Sequence, residues 1–405
     1  MTLRGEGKEA LRKVLKEIGF DEVRFAELDP PIANRLSEWV EKGYHADMDW
    51  LARSVEKRID PNRVMESAHS IIMLGTNYWP SDPAAGAQSR WAKYSLYRDY
   101  HDTIIRGLKK AGSILEAHLG LTESDYRYYV DTGPVMERGW AAASGMGWQG
   151  KNGMLISKRH GNWLFLSAIL LKARIEKDPP LRKGSADQSN SPELGAHCGK
   201  CTRCINVCPT EAIVEPGIVD SRRCISYQTI ENKGVIPRWI RPGIGQRIYG
   251  CDICLDVCPW NRFAKSGRHL LLESRYGITD LTLLDVLTMK IDSFREIFRK
   301  SPIKRLKLRG LLRNGCVVAG NLNSDSEWRQ NLSPDWRTPV RDALLDLVAH
   351  EEAAVPPHAI WALYRLFGSS IREDVKPLIE ESGNELAIDE FSWWERQSKE
   401  EPECP

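Results

Sequence analysis

Ten cysteines stand in the 405-residue sequence, and eight of them can do chemistry together. In "HCGKCTRCINVCPTEAI", Cys198, Cys201, Cys204 and Cys208, followed by Pro209, complete the run C-x-x-C-x-x-C-x-x-x-C-P that binds iron–sulfur clusters in two-cluster electron carriers. In "YGCDICLDVCPWN", Cys251, Cys254 and Cys258, followed by Pro259, form a second run one thiolate short. The last cysteine of each run serves the other cluster, so Cys198, Cys201, Cys204 and Cys258 make one ligand set. Cys208, Cys251 and Cys254 make the other. Ile248 occupies the place where a symmetrical repeat would put the missing cysteine, and between the runs stands Cys224, in "DSRRCISYQTIENKG". Cys224 is therefore expected as the substitute ligand. Two 4Fe-4S clusters result, with Cys316 and Cys404 to spare. C-x-x-C pairs also suit structural zinc, but the interlocked spacing and the proline after both runs favour clusters. Such a module passes single electrons, so an external low-potential donor is expected as a partner.

The richest stretch outside the cysteines is "YYVDTGPVMERGWAAASGMGWQGKNGMLI", residues 128–156. Asp131 follows an apolar-aromatic strand end, and the small residues from Ala141 to Gly153 would let backbone approach something large and flat, such as a macrocycle or a nucleobase. Tight helix packing, with Asp131 as a turn or cap residue, explains the same pattern equally well. A G-x-G-x-x-G occurs at Gly145, Gly147 and Gly150, but no acidic residue follows about twenty positions on, which argues against a dinucleotide. No Ser/His/Asp arrangement and no G-x-x-x-x-G-K-[ST] loop appears, which removes the commonest hydrolase and nucleotidase chemistries. "YSLYRDYHD", residues 94–102, adds Tyr94, Tyr97, Tyr100 and His101 as a structural or pocket-lining group.

Basic residues gather in two places although the formal net charge is only +2. "KSPIKRLKLRGLLR", residues 300–313, carries Lys300, Lys304, Arg305, Lys307, Arg309 and Arg313 without an acid. Arg305, Arg309 and Arg313 would share one helix stripe. Arg222 and Arg223 precede Cys224 beside a second basic-aromatic patch, "RWIRPGIGQRIYG". Patches flanking an electron-transfer module fit phosphate-backbone contacts, and Arg222, Arg223, Lys300, Lys304, Arg305 and Arg309 are the expected nucleic-acid contacts.

These groups need a scaffold of more than one domain at this length. The expected fold is multidomain α+β, with boundaries read from pattern and composition. Residues 1–175 alternate helical patterns with apolar runs as an α/β catalytic domain would; 176–197 read as a polar linker or loop. Residues 198–265 form a ferredoxin-like two-cluster module, and 280–405 are almost wholly helical. "LRGLLRNGCVVAGNL" and "PHAIWALYRLFGS" read as helices ending at Gly320 and Gly368, a spacing near the ~40–47-residue period of HEAT-type repeats. The charged N-terminus has no signal-peptide core, and "WLFLSAILL" is too short to span a bilayer. A cytoplasmic monomer without a membrane partner is expected, and clustered cysteines in a reducing compartment point to metal.

Taken together these segments resemble the epoxyqueuosine reductases, cobalamin-dependent iron–sulfur enzymes that complete queuosine in tRNA. The likeness rests on "SRRCISYQTIENKGVIP" followed by "RPGIGQRIYGCDICLDVCPWN", on "YRDYHD", "VDTGPVMER" and "GWQGKNGMLI" in that order, and on the helical tail. It implies reduction of the epoxide of epoxyqueuosine at the wobble base of a tRNA, with electrons passing through the clusters to cobalamin. Asp131 matches the family's proton donor, a role that needs a carboxylic acid kept protonated by burial. Arg58, Tyr94, Asp131, Lys151, Asn152 and Gly153 are implied as cobalamin contacts. The D-x-H-x-x-G pattern that brings a histidine to cobalt is absent, so binding without a histidine ligand is expected. Tyr97 and Ser167-Ala168 depart from the family's pattern. The nearest rival, a reductive dehalogenase-like enzyme, would call for an export signal and leaves the basic helical tail unexplained.

Overall fold

The apolar stretches marked as strands form the middle of a four-stranded sheet. The structure, a computed structural model, describes residues 2–29, 32, 34–80, 90–181, 194–323, 326–330 and 332–400; Cys404 and residues 182–193 of the expected linker lie outside these. The chain builds two units from interleaved stretches. Residues 1–87, 97–222 and 252–275 make the first, and 88–96, 223–251 and 276–405 the second.

In the first unit, β1 (Glu22–Glu27), β2 (Ser70–Asn77), β3 (Tyr126–Val130) and β4 (Leu164–Leu171) lie in the order β1-β2-β4-β3. Helices and strands are mixed as expected, but every neighbouring pair in this sheet is antiparallel. Alternation of helix and strand alone does not fix strand direction; here the intervening helices join antiparallel neighbours rather than parallel crossovers. Helix α1 (Gly5–Ile18) packs on β1 and on α2 (Tyr100–Leu119), α2 also packs on β3, and α3 (Glu137–Ala143) packs on β1, β2 and β4. Side chains alternate across a strand. Ile71, Met73, Ala168 and Leu170 thus join Val135, Trp140 and Ala141 in one layer, leaving the buried Ile72, Leu74, Ile169 and Leu171 for the opposite face. With apolar demand on both faces, the central strands read as unbroken apolar runs.

The second unit is largely helical. Helix α4 (Lys307–Gly320), α5 (Arg337–Val348), α6 (Pro356–Phe367), α7 (Arg372–Ser382) and α8 (Glu385–Glu400) follow in order, and α6 packs on α4, α5 and α8. Gly368, at φ +60, does terminate α6. Gly320 serves differently: a Cβ there would lie 2.4 Å from the Trp361 ring, so this glycine lets α4 and α6 approach closely. Arg241 and Glu390, both buried, pair at 2.9 Å. Cys316 is fully buried in α4, a small core residue.

Candidate active site

The two cysteine runs fold as the same local structure twice. Short helices Arg203–Asn206 and Ile253–Asp256 pack on each other, carrying Cys204 and Cys254. After each, the chain turns alike: Cys208 N–H donates to Ile205 O at 3.3 Å and Cys258 N–H to Leu255 O at 3.1 Å. The proline that follows cannot continue the helix. Cys198, Cys201, Cys204 and Cys258 line one cavity of about 200 Å³ together with Lys151, Arg203, Arg262 and Trp260. Burial, and then the neighbouring Cys198, push the Cys204 thiol up to about 11. Burial raises the Cys258 thiol too, against the pull of the Asn162 amide. Four cysteines around one cavity, two of them with raised thiols and all ringed by cationic side chains, fit an iron–sulfur core, whose iron supplies positive charge to hold thiolates. Among the described residues no three His, Cys, Asp or Glu side chains converge on a single-ion site. In the other expected set, Cys208 and Cys254 belong to the first unit, while Cys224 and Cys251 belong to the second. The Cys208 sulfur accepts Ala212 N–H at 3.3 Å.

A buried line of amides ties the glycine-rich loop to this motif. The strand pair Trp148–Gln149 and Leu155–Ile156 presents Lys151, Asn152 and Gly153 on its loop. Asn152 Nδ2 donates to Asn162 Oδ1 at 2.9 Å, and Asn162 Nδ2 to Asn261 Oδ1 at 3.0 Å. Asn261 Nδ2 then donates to Leu255 O at 2.6 Å. Lys151 Nζ donates to the carbonyls of Gly199 and Cys201 at 2.8 and 3.0 Å. Both side chains thus brace the cysteine loops, and Gly153, at φ +78, gives its carbonyl to Arg138 at 2.6 Å. Asn162 and Asn261 were not singled out in the sequence; the asparagine closing "CPWN" was the available signal.

Asp131 stands just past the end of β3 at φ +59, and Thr132 N–H reaches back to Val130 O at 2.6 Å. That bond closes a γ-turn of the rare positive-φ kind, a strained conformation for a side chain with a Cβ. Tyr100 OH donates to Asp131 Oδ2 at 2.6 Å, and His101 Nε2 lies 3.3 Å from the same oxygen. His101 Nδ1 bonds Asp99 Oδ1 at 2.7 Å. Asp99 also caps α2 by accepting His101 N–H, which fixes the order Asp-Tyr-His at a helix start. Stacking of Tyr100 on Phe165, with centroids 4.3 Å apart, holds the phenol in place. Burial alone would lower the His101 pKa; hydrogen bonds with Asp131 and Asp99 outweigh it and raise it to about 9. The Asp131 side chain is 55% exposed, so apolar burial by the protein is not what would keep it protonated. A proton is stored next to it on His101.

Beside this centre lies a carboxyl that sequence reasoning missed. Burial, reinforced by the charge of Asp131, raises Glu137 to about 8 against the opposing Arg58 and Arg138. Its buried Oε1 has no hydrogen-bond partner. Arg58 donates from Nε to Ser54 Oγ at 2.9 Å. An orphaned acceptor beside an exposed acid fits a ligand with amide groups on its rim, as a corrin has. The small residues answer the packing reading of the loop instead: a Cβ on Gly145 or Gly147 would fall 2.3 Å from Pro179 O or Ile156 O respectively. Tyr97 is buried, its hydroxyl 3.3 Å from His269 Nε2, and Ala168 sits in the sheet core beside Ser167, whose buried Oγ has no partner.

The remaining expected residues belong elsewhere. Tyr94 lies in the second unit, donating its hydroxyl to Tyr249 OH at 3.0 Å. Arg222 grips Asp220 at 2.7 Å, and Arg223 stacks over the exposed Trp239 ring at 5.5 Å. Lys300 and Lys304 are exposed. The expected arginine stripe is broken: Arg305 sits in a 3-10 turn, Pro302–Leu306, before α4 begins, and Arg313 is buried in the core. No described helix is long and apolar enough to cross a membrane.

Comparison with known proteins bears on these features. A family model described as "4Fe-4S double cluster binding domain" matches residues 197–261, and one described as "Epoxyqueuosine reductase QueG, DUF1730" matches residues 58–132. An epoxyqueuosine reductase of Synechocystis sp. is 40% identical over 289 residues, 70% of this chain and 93% of that protein. That of Shigella dysenteriae is 32% identical over 354 residues, 86% of each. A crystal structure of epoxyqueuosine reductase with an epoxyqueuosine-modified tRNA-Tyr stem loop matches at a TM-score of 0.79 and 25% identity, covering 97% of this chain and 98% of that one. The Streptococcus thermophilus structure matches at 0.73 and 26%, covering 97% and 99%.

Proposed function

We infer the function of this chain from the fact that it belongs to the epoxyqueuosine reductase family: it reduces epoxyqueuosine to queuosine at the wobble position of a tRNA anticodon. The reaction takes two electrons and two protons, releases the epoxide oxygen as water and leaves a carbon–carbon double bond. The observation that carries this reading is the relay Asp99–His101–Asp131, which ends on an exposed carboxylate in the same unit as the cysteine cavity. Expelling an epoxide oxygen needs a proton at the leaving atom. Asp131 presents that proton; His101, charged up to about pH 9, reloads it; Asp99 keeps the imidazole oriented.

Two 4Fe-4S clusters accept single electrons from an external low-potential donor, one on Cys198, Cys201, Cys204 and Cys258, the other on Cys208, Cys224, Cys251 and Cys254. Cobalamin, when bound, supplies a strongly nucleophilic two-electron reductant. Arg58, Tyr94, Asp131, Glu137 and the Lys151–Gly153 backbone would hold it, since the side chains of Lys151 and Asn152 are committed to the cysteine loops. Residues 280–405 are read as a HEAT-like tRNA-binding region, with Arg222, Arg223, Lys300, Lys304, Arg305 and Arg309 as the phosphate-backbone contacts, in a cytoplasmic monomer. Anaerobically reconstituted protein, reduced chemically and given tRNA carrying epoxyqueuosine, should yield a nucleoside one oxygen lighter by mass spectrometry. Absence of that product from protein with full iron and corrinoid content would overturn the reading.

A further inference from the structure

The second unit contains a cavity of about 130 Å³ whose polar lining is cationic: Lys233, Arg305, Lys307, Arg309 and Arg313, with no acid among its lining residues. Two of these charges are neutralised from outside it, Arg305 by Glu231 at 2.8 Å and Arg309 by Glu352 at 3.2 Å. The other three are not. Arg313 is 1% exposed. Its guanidinium spends all five N–H donors within the protein, on the carbonyls of Asn232, Gly234 and Gln228 at 2.6, 2.8 and 2.8 Å and on Asn314 Oδ1 at 3.2 and 3.0 Å, yet no described carboxylate pairs with its charge. A desolvated cation without an anion is costly, and burial draws its pKa down to about 10. Lys233 and Lys307 likewise have no acid within ion-pair distance among the described residues, and both are exposed at the rim. Lys307 holds φ +61 as the first residue of the 14-residue helix α4, whose N-cap Leu306 makes no side-chain cap bond. The unpaired N–H groups of that helix end add positive potential.

Three cations without acids around a space of about four waters' volume suit a small tetrahedral oxyanion. We propose that this cavity is a single-phosphate site, receiving one backbone phosphate of the RNA substrate through Lys233 and Lys307, with the buried charge of Arg313 adding positive potential behind them. This rests on the reading that the substrate is tRNA and moves the phosphate contact from Arg305 and Arg309, which are tied to acids, to side chains that are not.

The test uses the full reconstituted chain and a fluorescent anticodon stem loop, with Kd measured across a potassium chloride series. Lys307→Gln and Lys233→Gln are each expected to weaken binding several-fold and to flatten the log Kd against log salt slope by about one. Lys376→Gln, on α7, should do neither. Inorganic phosphate should raise the melting temperature of wild type more than chloride at equal ionic strength, and that excess should vanish in Lys307→Gln. Variants that melt like wild type but bind RNA with unchanged affinity and slope overturn the RNA assignment. If phosphate still stabilises only wild type in that case, free phosphate is the ligand; if it does not, there is no anion site. Failure of wild type itself to bind the stem loop would instead strike the proposed function.

Discussion

The Asp99–His101–Asp131 chain of the first unit and the cationic cavity of the second handle charge in opposite ways. Around Asp131 the groups shift one another: Asp99 and Asp131 both hold His101, and the charge of Asp131 helps burial raise Glu137. Around Lys307 the compensation stops short, and positive charge is left over. Proton transfer requires groups whose affinities shift one another, so coupling is the useful property. Holding an anion requires a deficit that the ligand fills. The contrast separates residues that share chemistry from residues that await a partner.

Breaking the coupling should cost most at its exposed end. Asp131→Asn is expected to lower the single-turnover rate by about 10²–10⁴-fold while the cluster and corrinoid spectra stay unchanged; normal turnover would remove the relay. His101→Gln should lower it by about 10–10²-fold and abolish an alkaline limb in the pH profile. The sign follows from the raised pKa: the imidazolium persists from the unfolded value near 6.5 up to about 9, so wild-type activity and the stability this pair contributes both decline as pH rises through 9. A profile whose limb survives the substitution would place the stored proton elsewhere.

Glu137→Gln probes the half-buried neighbour. Its folded pKa of about 8 lies above the unfolded carboxylate value, so folding binds an extra proton between the two and wild-type stability falls as pH climbs towards 8. The variant should melt a few degrees higher than wild type at pH 9 and alike at pH 5. The smallest effect belongs to the second region. Glu231→Gln, by releasing Arg305, should tighten stem-loop binding about 2-fold at low salt; weaker binding would mean Arg305 needs that acid for position.

The cysteine repeat was legible because its geometry is set within a few residues of chain, and both C-x-x-x-C turns fold alike. Asp131 and His101 were legible as residues, but not their connection, since Asp99, Tyr100 and His101 reach Asp131 only through the packing of α2 against the sheet. Strand direction was hidden, as apolar runs carry no sign. Glycines at 145 and 147 suggested a ligand surface and proved to admit neighbouring carbonyls. Helical phase failed at Arg305, where the chain starts α4 two residues later than an unbroken stripe requires. Asn162 and Glu137 left no spacing signal at all.

The interleaving of the two units has a consequence for synthesis. The ribosome releases Cys198, Cys201 and Cys204 well before Cys258, and the stretch in between, residues 223–251, belongs to the other unit. Three cysteines of that cavity are thus made before residues 252–275 emerge to complete the first unit. The cavity they line is therefore completed only once Cys258 has been made.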